Sequence, residues 1–67
     1  MKIMINGRCL ELAGPVSIVD LLAMQKVKYP EGVLVYINHR LFLQEDYETA
    51  YLKDKDVIEI HYPVWGI

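Results

Sequence analysis

Cysteine is almost missing from this chain. A single thiol, Cys9, stands in 67 residues, which excludes an intramolecular disulfide and fits a reducing compartment and a fold held by its core alone. Glycine and proline are scarce, at four and three, while apolar residues make up 54%, a balance that excludes an intrinsically disordered chain. No stripe of Lys and Arg forms: seven are scattered against nine Asp and Glu, for a formal charge of −2. That argues against binding through nucleic-acid phosphates. No apolar run is long enough to span a membrane, and the opening Met-Lys leads into an alternating segment rather than a signal peptide. A cytoplasmic location is therefore expected. The length allows one domain, whose core must be economical because a short chain buries a smaller share of its surface.

What is present is a sequence of faces and turns. Lys2-Ile3-Met4-Ile5 alternates and predicts a strand with Ile3 and Ile5 on one side. Asn6-Gly7 is a strong hairpin signal because both residues tolerate the positive φ of a type I′ turn. The return strand is Cys9-Leu10-Glu11-Leu12, and Gly14-Pro15 breaks the pattern. Ser17 caps a helix, with Asp20 at its positive end. Ile18, Leu21 and Leu22 form its apolar stripe, and the helix is expected to finish near residues 26–28, ahead of Pro30. Val33-Leu34-Val35-Tyr36-Ile37 is β-branched and nearly continuously apolar, which predicts a central strand covered on both faces. Asn38-His39-Arg40 turns the chain into a short strand, Leu41-Phe42-Leu43. Residues 44–51 read as irregular or as one helical turn, Asp54-Lys55-Asp56 as a tight turn, and residues 57–62 as the last strand. The expectation is an α+β fold, one helix on a mixed sheet of four or five short strands, with a body at 1–62 and a tail at 63–67. Periodicity leaves the strand order open.

Several segments together resemble the ThiS/MoaD family of ubiquitin-like sulfur carriers, and ThiS more than MoaD. They are Ile5-Asn6-Gly7, Ser17-Ile18-Val19-Asp20-Leu21-Leu22-Ala23, Pro30-Glu31-Gly32-Val33 leading to Ile37-Asn38, and Leu52-Lys53-Asp54-Lys55-Asp56 running into Ile58-Glu59-Ile60 and the tail. The resemblance spans almost the whole chain and implies a β-grasp fold. It implies a carrier rather than an enzyme. The carrier's C-terminal carboxylate is adenylated by an E1-like adenylyltransferase that uses ATP, and is converted to a thiocarboxylate. The sulfur then passes to a sulfur-accepting synthase in thiamine (thiazole) or related cofactor biosynthesis, and the carrier itself binds no cofactor. A tail of five residues reaches roughly 17 Å when extended, enough to enter a partner's cleft. In the resemblance Gly66 matches the penultimate glycine, and Ile67 stands where a terminal glycine is usual. A β-branched side chain there crowds the reacting carboxylate. The alternative is a non-catalytic β-grasp interaction module that has lost carrier activity. His39 and Lys55 also stand at turn positions where the family commonly has glycine, a cost if those positions need positive φ.

The sulfur-carrying tail is thus expected at Gly66 and Ile67. A partner-binding face is expected from Leu34, Tyr36, Phe42 and His61 on the side of the sheet away from the helix, since exposed apolar clusters mark binding surfaces. Trp65 is either a hydrophobic anchor for a partner or a lid folded back on Tyr62 or the sheet. His39, His61 and Cys9 match no zinc spacing. The acids Glu45, Asp46 and Glu48 read as a solvated loop, because acid/base catalysis needs a cleft that one helix on a small sheet does not supply. Lys53 and Lys55 are exposed charges suited to steering an acidic partner.

Overall fold

Two tight turns of one kind set the strands. The computed structural model describes residues 1–62, and in it Asn6 (φ 47) and Gly7 (φ 80) form the expected left-handed pair between β1 (Lys2–Ile5) and β2 (Arg8–Glu11). Asn38 (φ 53) and His39 (φ 69) repeat it between β3 (Leu34–Ile37) and β4 (Arg40–Phe42). Both are the two-residue I′ geometry that matches strand twist. Lys55 (φ 71) turns the chain into β5 (Val57–His61). The last strand is one residue shorter than expected, and the return strand has the expected length but begins and ends one residue earlier, within ordinary variation of strand ends.

Helix α1 (Ile18–Met24) starts where Ser17 Oγ accepts the Asp20 N–H at 3.2 Å. It stops earlier than the basic residues suggested. Lys26 adopts a left-handed φ of 58, its N–H reaches the Ala23 carbonyl, and the Val27 N–H reaches the Leu22 carbonyl, each at 3.0 Å. This pair of bonds is the Schellman closure, with Val27 tucked against the core as its hydrophobic partner.

The sheet order is β2-β1-β5-β3-β4, with β1 and β5 parallel and the other pairs antiparallel. One helix lies on this five-stranded mixed sheet, as the β-grasp expectation required. The centre is β5, however, not the Val33–Ile37 segment. Nor is that run covered on both faces, as its continuous apolarity predicts: Leu34 is 51% exposed. Its outward positions happen to be apolar too, which hides the alternation of a half-buried strand.

The core lies between helix and sheet. Ile18, Leu21 and Leu22 are fully buried against Ile3, Val35 and Ile58, each such side chain contributing about 1.5–3 kcal/mol. A 3₁₀ turn at Gln44–Asp46 fulfils the single helical turn expected there and drops Tyr47 into the core, its hydroxyl donating to the Val33 carbonyl at 3.4 Å. Burial raises the Tyr47 phenol above its ordinary value. Among the described residues no helix is long and apolar enough to cross a membrane.

Candidate functional site

The face of the sheet opposite α1 is built by cross-strand register. Leu34 pairs with His61, and Tyr36 pairs with both Glu59 and Leu41. Residues opposite each other in an antiparallel ladder share a face. Val35, next to these on β3, is fully buried on the helix side. Leu34, Tyr36 and His61 therefore stand where expected, on the open face. Phe42 does not. It pairs with Val35, points to the helix side and packs against the core, half-buried, with the Arg40 guanidinium 5.4 Å from its ring centroid.

Leu41 takes the outer place assigned to Phe42, and it is 43% exposed. Exposed Leu43, Val57 and Met4 extend the apolar surface along the strands. A three-residue turn, Asn38-His39-Arg40, would set Phe42 opposite Tyr36 and so on the outer face. The observed turn has two, so Arg40 opens the strand opposite Ile37. The repeated αL-tolerant Asn before position 39 was the available signal, obscured by His39 standing where I′ turns favour glycine.

A polar cluster crosses this apolar face. His61 Nε2 lies 3.2 Å from Glu59 Oε1, and His39 Nδ1 lies 3.7 Å from Glu59 Oε2. The Tyr36 and His61 rings meet edge to face, centroids 5.1 Å apart at 77°, a favourable aromatic geometry. An imidazole held on both sides in this way offers a fixed polar contact within an apolar surface. Among the described residues no cluster of three His, Cys, Asp or Glu side chains is placed to hold a metal ion. Cys9 is exposed on β2 opposite Met4, and Glu45, Asp46 and Glu48 are exposed along the loop.

The tail residues Trp65, Gly66 and Ile67 lie outside the described residues. The chain reaches them from His61 at the end of β5, the middle strand, which is held by β1 on one side and β3 on the other.

Comparison with known proteins agrees with this architecture. The model of the ThiS family matches residues 3–66. The fold is similar to the crystal structure of a thiamine biosynthesis protein (ThiS) from Geobacter metallireducens, at 28% identity and a TM-score of 0.85, covering 98% of this chain and 99% of that one. It is likewise similar to the NMR solution structure of a thiamine biosynthesis protein from Geobacter metallireducens, at 28% identity and a TM-score of 0.83, covering 98% of this chain and 87% of that one. No curated protein sequence matches the chain.

Proposed function

The chain belongs to the ThiS family, and from that membership we propose that it is a sulfur carrier serving thiamine biosynthesis, at formation of the thiazole. The observation that carries this reading is a family match running through residue 66, so that it takes in the tail as well as the body. The two similar structures, both of thiamine biosynthesis proteins, support the same pathway.

In this reading residues 1–62 are the body and residues 63–67 the tail. An E1-like adenylyltransferase docks on the outer face at Leu34, Tyr36, Leu41 and His61, with Trp65 as a further anchor. The terminal carboxylate attacks the α-phosphorus of the partner's ATP and releases pyrophosphate. A sulfur nucleophile then displaces AMP from the acyl group, leaving a thiocarboxylate that a synthase consumes. The carrier contributes no catalytic side chain and holds no cofactor of its own. Its work is recognition by a rigid body and delivery by a thin end. The lone Cys9 fits a cytoplasmic setting for this chemistry.

With Ile67 as the reacting end, a second reading arises. Glycine at the reacting end adds no side chain and takes any backbone angle, whereas the branched β-carbon of isoleucine stands next to the carbonyl under attack. A chain unable to react there would be a binding module that keeps the outer face. Incubation with an E1-like adenylyltransferase, ATP and a sulfur donor, read by intact mass, separates the two. The carrier reading expects the mass gain of oxygen replaced by sulfur. If Ile67→Gly gains that mass and the unaltered chain does not, the binding module is the correct reading.

A further inference from the structure

A second groove lies on the helix side of the sheet, at the end away from His61, between β4 and the segment around residues 50–53. It is a cavity of about 320 Å³ with Ile37, Phe42 and Ala50 among its walls. Arg40 and Lys53 stand at its sides. Both are exposed, and neither forms an ion pair among the described residues. The one acid lining the groove is already engaged: Asp56 Oδ1 accepts from Asn38 Nδ2 at 3.0 Å, and Oδ2 accepts from the Lys53 N–H at 2.7 Å. Two cations flanking an apolar hollow, in a chain of net charge −2, are complementary to negative charge carried on an apolar ligand.

The rim of this groove is also an unpaired sheet edge. β4 is the last strand in the order. The I′ turn makes Ile37 and Arg40 the hydrogen-bonded pair that closes the hairpin, so in the alternating ladder the next residue, Leu41, directs its N–H and C=O away from β3. An edge strand offers those groups to an added strand.

We propose that this edge and groove together bind an extended acidic segment of a partner protein, which adds as a strand beside β4. Main-chain bonds at Leu41 give it its direction, and its acidic side chains meet Arg40 and Lys53. The site shares only Leu41 with the outer face of the carrier reading, using its main chain rather than its side chain, and stands whether or not that reading holds. Strand addition of this kind draws affinity from the backbone and specificity from alternate side chains.

The test uses the ¹⁵N-labelled chain and a blocked peptide, Val-Glu-Val-Glu-Val-Glu, with a Gln-for-Glu peptide as control. The expected result is movement of the Leu41, Ala50, Tyr51 and Lys53 amide resonances, with affinity falling about tenfold or more for the Gln peptide and for Lys53→Glu. Arg40→Glu is expected to act alike, and circular dichroism checks that both variants stay folded. Equal binding of the Gln peptide, or shifts centred on Tyr36 and His61, would overturn the proposal. So would inorganic phosphate reproducing the same shifts at similar affinity, since the groove would then be a small-anion site. Unchanged Leu34, Tyr36 and His61 resonances distinguish this outcome from any failure of sulfur transfer.

Discussion

The side-chain oxygen of Asn6 accepts the backbone N–H of Ile60 at 2.9 Å, joining residues 54 apart in the chain. The Asn6 N–H in turn donates to the Ile58 carbonyl. Where β1 must leave β5 to make its hairpin, the carboxamide supplies the acceptor that the departing main chain no longer offers. Asn6 thus serves the turn, through its φ of 47, and the parallel ladder at once. Asn6→Gly keeps the turn and loses the bond, and is expected to cost about 1–2 kcal/mol. Asn6→Ala loses both and is expected to cost about 1 kcal/mol more. Urea midpoints of the two variants check the order, and equal midpoints would show that the turn conformation carries no cost.

Besides Asn6 and Asn38, whose side chains suit it, Lys26, His39 and Lys55 occupy left-handed backbone that favours glycine. Lys26→Gly, His39→Gly and Lys55→Gly should each raise stability by about 0.5–1 kcal/mol, the relief of strain less the extra freedom glycine has when unfolded. Each residue's backbone N–H is retained, including the bond from Lys55 to the Lys2 carbonyl. His39→Gly also removes the long His39–Glu59 contact, which is too exposed to offset the gain. Thermal melts of the single variants measure this.

Leu41 and Phe42 are neighbours with opposite duties. Phe42→Ala should lose about 2 kcal/mol, less than a fully buried aromatic because Phe42 is half-buried. Leu41→Ala should change stability by less than about 0.5 kcal/mol and yet, on the proposed carrier reading, weaken binding to an E1-like adenylyltransferase. Denaturation and partner-binding titrations on the same two variants check both halves. A Phe42→Ala protein of normal stability would contradict the observed register.

Tyr47 gives a pH dependence. Its folded-state value is raised by burial, so the unfolded chain releases the phenolic proton first as pH climbs. The contribution is fully present below the unfolded value of about 10 and is lost as pH rises through the folded value. Stability should therefore decline above about pH 10, and Tyr47→Phe should flatten that part of the decline. Guanidinium titrations at pH values either side of 10 read the difference. A decline of equal slope in Tyr47→Phe would assign it to other groups.

The inward positions were legible without coordinates because one-face burial leaves a period in the sequence. Ile3, Ile5, Ile18, Leu21 and Leu22 follow from alternation or helical spacing, and all are buried. The cap at Ser17 and the turn at Asn6-Gly7 were legible because they depend on the chemistry of adjacent residues. The outer face of the sheet was partly legible: the positions of Leu34, Tyr36 and His61 follow from their neighbours on the same strand. Phe42 was placed on the wrong side because a one-residue difference in turn length reverses every side chain that follows.

Which residues avoid water, where the chain turns, and that one helix lies on a mixed sheet can all be read from local spacing and the conformational limits of single residues. The central place of β5, the outward turn of Leu41 rather than Phe42, and the meeting of Asn6 with Ile60 emerge only when the strands assemble. Those outcomes depend on which distant strands share hydrogen bonds, and a backbone N–H or C=O is the same group in every residue that has one, so the pattern of side chains carries no label for its partner.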